Sequence, residues 1–201
     1  VEAAHASRRT DGVTFPEIEV REVWQNTLET LGATAAARDE AFVDRLAIAY
    51  ECRVNPTWPM PGAFDITAAL RARGLRLGIV SNSQFYTPLL FEAFFDASPE
   101  TLGFDPEFSC WSYAIREGKP STTLYEKALS GLRQTGIEPA ETLYVGNDML
   151  NDVWAAGQTG CRTALFAGDR RSLRLRENDA RCTTLKPDIV LTELAQLPDL
   201  L

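Results

Sequence analysis

The chain has 201 residues and an apolar fraction of 45%, enough for one domain with a sizeable core and a small insertion. A formal charge of −8 and a pI near 4.8 argue against nucleic acid or an anionic membrane as partners, and no apolar run approaches the roughly 18 residues a membrane span needs. The single histidine, His5, excludes a histidine-based triad or a multi-histidine zinc site, which leaves carboxylates, Lys, Ser or Cys to carry any chemistry. The opening VEAAHASRRTDGV has no apolar signal-peptide region and reads like a stretch entered partway through a longer chain. Cys52, Cys110, Cys161 and Cys182 form no CxxC pair, as expected for a cytoplasmic protein with reduced thiols.

In chain order, residues 16–54 read as helical. Pro16 opens a helix start followed by acids, with Val20, Val23, Trp24, Leu28 and Leu31 at helical spacing. A second helix follows from about Asp39, with Phe42, Leu46, Ala49 and Tyr50 on one face. The run VNPTWPMPG then breaks regular structure. From Ala63 onward, helices alternate with short apolar strands. FDITAALRARG is a helix, RLGIV a strand of about five residues, YTPLLFEAFF a helix and FSCWSYAI a strand. STTLYEKALSGLRQTG is a helix capped by Ser121 and ended by Gly136. TLYVGND is a strand, MLNDVWAAGQTG a helix, CRTALFAG a strand, and DIVLTELAQL a strand running into a helix. This alternation predicts an α/β, Rossmann-like parallel sheet with helices on both faces.

Ligands of such sheets bind beyond the carboxyl ends of the strands, and three polar clusters fall at such places. Ser81-Asn82-Ser83 follows LGIV; a hydroxyl and free amides there can hold a phosphate oxygen, or simply make a turn. Lys119, fixed in an extended approach by Pro120, can neutralise a phosphate, or lie solvated on the surface. Asn147-Asp148-Met149-Leu150-Asn151-Asp152 follows TLYVG. Asp148 and Asp152, four apart, can present paired oxygens to Mg²⁺, a hard ion, or can cap and complement the next helix.

The order and spacing of these clusters, with the downstream AAGQTGCRTALFAG, resemble motifs II, III and IV of the haloacid-dehalogenase-like (HAD) hydrolases, from about Pro59 to the C-terminus. The resemblance implies a phosphatase-type HAD core over residues 58–201 and a small helical cap over residues 1–57. It implies an aspartyl-phosphate mechanism, Mg²⁺ as cofactor and a small phosphorylated substrate. By motif, Ser81 and Asn82 would bind the phosphoryl group and Lys119 would orient the nucleophile and balance charge. Asp148 and Asp152 would bind or position the metal. Asn147 stands where the family more often has Asp, so either Asn147 or Asp148 could reach the metal.

Motif I, an apolar strand ending in DxDxT that carries the family's nucleophile, has no counterpart here. Asp11-Gly12-Val13-Thr14 follows SRRT, which cannot make a buried strand, and Phe64-Asp65-Ile66-Thr67 lies within a predicted helix. The expectation is that natural residues precede Val1 and carry that strand. Without it the 201-residue chain should neither complete the sheet alone nor turn over substrate, since each unpaired buried backbone group costs about 1–3 kcal/mol. Two other readings stand beside the phosphatase: a dehalogenase acting on carbon, and a non-catalytic HAD-like binding module. The basic run Arg170–Arg176 reads as a solvated helix start or as a greeting for an anionic substrate. Trp24, Trp58, Trp111 and Trp154 read as core or cap packing. Oligomeric state is not legible.

Overall fold

The structure, a computed structural model, describes residues 2–10 and 12–201. Of the two segments set aside above as nucleophile sites, Asp11 lies outside the described residues, and Phe64–Thr67 is helical.

Four helices come first: α1 (Glu2–Thr10), α2 (Val20–Thr30), α3 (Thr34–Ala37) and α4 (Glu40–Val54). Helix α4 begins where the sequence predicts, because the Asp39 carboxylate accepts the Phe42 amide at 3.0 Å. Helix α2 starts four residues later than expected. Pro16 is drawn instead into an antiparallel bridge with Glu117, and Glu19 takes the capping position. Helices α2 and α4 pack through the edge-on pair Trp24–Tyr50, with centroids 5.2 Å apart.

The α/β part follows: α5 (Ala63–Ala72), β1 (Val80–Ser81), α6 (Leu89–Phe95), β2 (Cys110–Trp111), α7 (Ser112–Ile115), α8 (Thr123–Gln134), β3 (Leu143–Gly146), α9 (Ala155–Gln158), β4 (Arg162–Phe166) and β5 (Ile189–Leu191). All pairings within its two sheets are parallel. One sheet joins β1 to β2, and the other runs β3-β4-β5. Helices cover both faces of the larger sheet, as alternation along β4 shows. Ala164 and Phe166 pack toward α5 and the C-terminal 3₁₀ segment with Ile66, Leu70 and Leu197, whereas Leu165 packs with Met149, Leu150 and Val153. The expected α/β parallel architecture is therefore present.

Several elements are shorter than their apolar runs suggest. Of the RLGIV run only Val80 falls within β1, which pairs with β2 alone, and Leu77 adds an isolated parallel bridge to Phe104. Gly78 is pressed so closely on the approach to β2 that a Cβ there would lie 2.6 Å from the Phe108 carbonyl oxygen. FSCWSYAI gives two strand residues and then turns into α7, which Arg116 ends in the left-handed region. The segment after β3 opens with a π-helical turn, Met149–Trp154, in which the Asp148 carbonyl accepts both the Asp152 and Val153 amides. Trp58, read as core or cap packing, is 71% exposed, since the proline-rich run that carries it makes no regular element to bury it. Among the described residues no helix is long and apolar enough to cross a membrane.

Candidate active site

Between the two sheets lies a cleft of about 610 Å³. One wall is residues 77–81 leading through β1, and the other is residues 143–147 along β3. Among the described residues no strand ladder joins β1 to β3; side chains span the gap instead. The Tyr144 hydroxyl donates to the Val80 carbonyl at 2.8 Å. The Lys119 ammonium reaches Asp152 Oδ1 at 2.6 Å, the Tyr144 hydroxyl at 3.0 Å and the Val80 carbonyl at 3.3 Å, so its three protons are all engaged.

Ser81, Lys119, Asn147 and Asp152 all line this cleft, at the carboxyl ends of β1 and β3. Asn82 does not line it but fixes Lys119 from behind. Its Oδ1 accepts the Lys119 amide at 2.7 Å, and its Nδ2 donates to the Lys119 carbonyl at 3.1 Å. Asp152 is placed as rigidly. Its Oδ2 accepts the Asn147 and Asp148 amides, both at 2.9 Å, and this requires glycine at 146, where a Cβ would lie 2.3 Å from Asp152 Cγ.

Asp148 faces a different neighbourhood. Its carboxylate caps the π turn, accepting the Leu150 and Asn151 amides at 2.9 and 3.1 Å, and is gripped by Arg176, whose Nη2 lies 2.5 Å from Oδ2. Burial alone would raise the Asp148 pKa. Arg176 and the two amides outweigh that, and the net displacement is downward. For Lys119 burial pulls downward, while Tyr144 and Asp152 prevail and hold the ammonium charged. Asn147, which lines the cleft, donates through Nδ2 to the Ser172 carbonyl at 2.5 Å.

Among the described residues no group of three or more His, Cys, Asp or Glu side chains gathers closely enough to hold a metal ion. The oxygen-bearing side chains that the cleft has for a divalent cation are Asn147 and Asp152, and Asp152 would have to exchange a present contact, to Lys119 or to the 147 and 148 amides, for the ion. That fits Mg²⁺ only as part of a shell, since this ion takes one or two carboxylates and fills its remaining positions with water and phosphate oxygens. The Asp148 carboxylate does not line the cleft and is held by Arg176 and the turn.

Sequence reasoning passed over two residues. Tyr144 reads as one more apolar strand position, although it shares a strand face with Gly146 and so aims at the same cleft; that alternation was the available signal. Arg176 lies 28 residues beyond Asp148 in an irregular segment, not at the helix start expected for this basic run, and nothing periodic links the two.

The model of the haloacid dehalogenase-like hydrolases matches residues 7–160, most of the chain. The chain belongs to that family. A phospholysine phosphohistidine inorganic pyrophosphate phosphatase from Xenopus laevis is 30% identical over 95 residues, covering 47% of this chain and 33% of the relative. The chain thus spans about a third of the length of the curated relatives it matches. Two solved HAD-type structures share the fold. One is a 2-haloacid dehalogenase from Pseudomonas syringae (TM-score 0.60, 20% identity, 89% of this chain and 68% of that one). The other is a predicted phosphoglycolate phosphatase from Haemophilus somnus (TM-score 0.59, 21% identity, 81% and 67%).

Proposed function

We propose that this HAD-like hydrolase is an Mg²⁺-dependent phosphatase acting on a small phosphorylated molecule. The observation that carries the reading is the meeting of Ser81, the buried Lys119 ammonium, Asn147 and Asp152 in the lining of one cleft. Cation and hydroxyl suit a phosphoryl group, and the low-dielectric surroundings strengthen their pull on charge that develops as a P–O bond breaks. Asn82, which fixes the Lys119 backbone, serves phosphate binding indirectly through that clamp.

Asp152 is the one aspartate among the described residues lining the cleft, and its oxygens are taken by Lys119 and two amides, so it is poorly suited to attack phosphorus. In our reading the nucleophile is an aspartate at the end of a further strand seated between β1 and β3. Leu77, Ile79, Leu143 and Val145 give that space apolar walls, and the sheet edges supply backbone partners. The carboxylate attacks phosphorus, the P–O bond to the alcohol breaks, and a second acid donates the proton to the departing oxygen. Water then hydrolyses the aspartyl-phosphate. Lys119 stays protonated throughout and, by exchanging one of its present contacts, would hold the attacking carboxylate in line. Asp152 and Asn147 would hold Mg²⁺, which supplies shielding of the phosphate charge. Residues 1–57 would form the helical cap over a core of residues 58–201 and restrict entry to small substrates. The four cysteines, all free thiols, suit a reducing, cytoplasmic setting.

The test is phosphate release from p-nitrophenyl phosphate by the full-length natural protein, with Mg²⁺ and with EDTA, for the native sequence and Lys119→Ala. Activity should require Mg²⁺ and disappear in the variant. Full activity in EDTA and in Lys119→Ala would remove the mechanism. Halide release from a 2-haloacid without phosphate release would replace it with carbon chemistry.

A further inference from the structure

We propose that a second cavity, beside the loop after β1, holds the alcohol portion of the substrate and selects one bearing a protonated amine on an apolar frame. The proposal rests on the phosphatase reading and deepens it.

This cavity, of about 640 Å³, lies between the end of α4 with the following Pro56–Trp58 stretch and the loop that leads from β1 into α6. Asn82 and Ser83 form part of its wall. Asn82 is the residue whose side chain clamps the Lys119 backbone, so one residue of the cavity wall also positions a residue of the cleft. Much of the remaining surface is apolar, from Ile48, Leu90, Phe94 and Trp58. Trp58 and Phe94 stand with ring centroids 6.2 Å apart, and both are exposed.

Two carboxylates enter this apolar surround. Glu17 Oε2 accepts the hydroxyl of the fully buried Ser112 at 2.9 Å, and Ser112 Oγ in turn accepts the Ser83 amide at 2.9 Å. Glu51 Oε1 accepts Asn55 Nδ2 at 2.7 Å. The Tyr86 hydroxyl belongs to the same wall, and its pKa is raised. Burial raises its pKa most, and Glu51 and then Glu17 push it further. Among the described residues lining the cavity there is no Lys, Arg or His to neutralise the pair.

Charge decides what such a cavity accepts. A substrate ending in a carboxylate or a second phosphate would bring a third negative charge against Glu17 and Glu51 with no compensating cation. An ammonium would satisfy both carboxylates, and the Trp58 and Phe94 faces can add cation–π attraction at the mouth. The apolar wall favours a carbon frame between the amine and the phosphate over a polyhydroxylated one.

The first arm of the experiment needs no turnover. The protein is titrated with phenethylamine and with phenylacetate, which carry the same ring and opposite charge, and tryptophan fluorescence reports binding. The amine should bind about tenfold tighter or more. Glu51→Gln and Glu17→Gln keep the hydrogen bonds to Asn55 and Ser112 while deleting charge, and each should shrink the preference by about three- to tenfold. Glu51→Lys should reverse it. Equal or tighter binding of phenylacetate, or an undiminished preference in all three variants, overturns the proposal.

The second arm compares phosphate release from phosphomonoesters of an amino alcohol and of a hydroxy acid of equal length. A higher kcat/KM for the amine-bearing ester is expected. Phosphate release without that preference overturns this proposal and leaves the phosphatase reading standing. Amine binding with no phosphate release from any ester strikes the phosphatase reading, and the leaving-group role with it.

Discussion

Lys119 and Asp152, 33 residues apart, form an ion pair of 2.6 Å in which neither side chain is more than 10% exposed. Two opposite charges are thereby committed to each other at the polar end of the cleft, along with Tyr144 and the Val80 carbonyl. Such pairs add little net stability when intact, but removing one partner strands the other.

Lys119→Met should therefore destabilise the fold by about 3–5 kcal/mol, well beyond what lost packing explains. Asp152→Asn should cost a similar amount, since its single acceptor oxygen can serve either Lys119 or the 147 and 148 amides but not both, and the buried ammonium loses its counter-charge. The double variant should recover part of the sum. Urea denaturation of all four proteins gives the coupling, and strict additivity would show that the pair is not energetically linked.

Asp148 makes the acid limb of stability predictable. Its folded pKa is depressed, so the stability it contributes is fully present above the usual carboxylate value and drains away as pH falls through the lower, folded value. Arg176→Met removes the guanidinium that does most to lower it. The variant should lose about 1–3 kcal/mol at neutral pH and begin its acid unfolding at a higher pH than the parent. Superimposable acid transitions would show that Arg176 does not hold Asp148 in solution.

Gly146→Ala should be among the most damaging small substitutions. The new methyl would lie within 2.3 Å of Asp152 Cγ, so the carboxylate must leave Lys119 or the strand end must shift. A loss of about 1–3 kcal/mol is expected, with a weakened Lys119–Asp152 coupling in the same denaturation cycle. A neutral outcome would mean that Asp152 has room the packing does not show.

Ser112→Ala tests the link between Glu17 and the loop after β1. The fully buried hydroxyl donates to Glu17 and accepts the Ser83 amide, so its loss leaves an acceptor and a donor unserved, at about 1–3 kcal/mol. The Ser83 amide should also lose protection and shift in NMR spectra. An unchanged Ser83 signal would place that contact outside the solution ensemble.

Much of this arrangement was legible residue by residue. Strand runs ending in Ser81 and Gly146, and a lysine before proline, mark the ends of a parallel sheet in the sequence itself, and those ends do meet. The helix from Glu40 was legible because Asp39 is a strong capping residue at the start of an apolar period. Pro16 misled for a physical reason: a proline suits the first turn of a helix and also an edge position with no amide to donate, and here the second use prevails. The partition of the acidic cluster was not legible at all. Asp148 and Asp152 have the same chemistry and differ only in what tertiary structure brings to each, Arg176 to one and Lys119 to the other.

The division of the strands into β1-β2 and β3-β4-β5 bears on how the molecule opens. Each group is drawn from one contiguous stretch of chain, and among the described residues backbone ladders couple strands within a group but not across. Amide hydrogen–deuterium exchange should accordingly resolve two cooperative blocks with their own opening energies, rather than one gradient of protection spanning all five strands. A strand docked between them would be expected to fuse the blocks into a single unit that exchanges only by global unfolding.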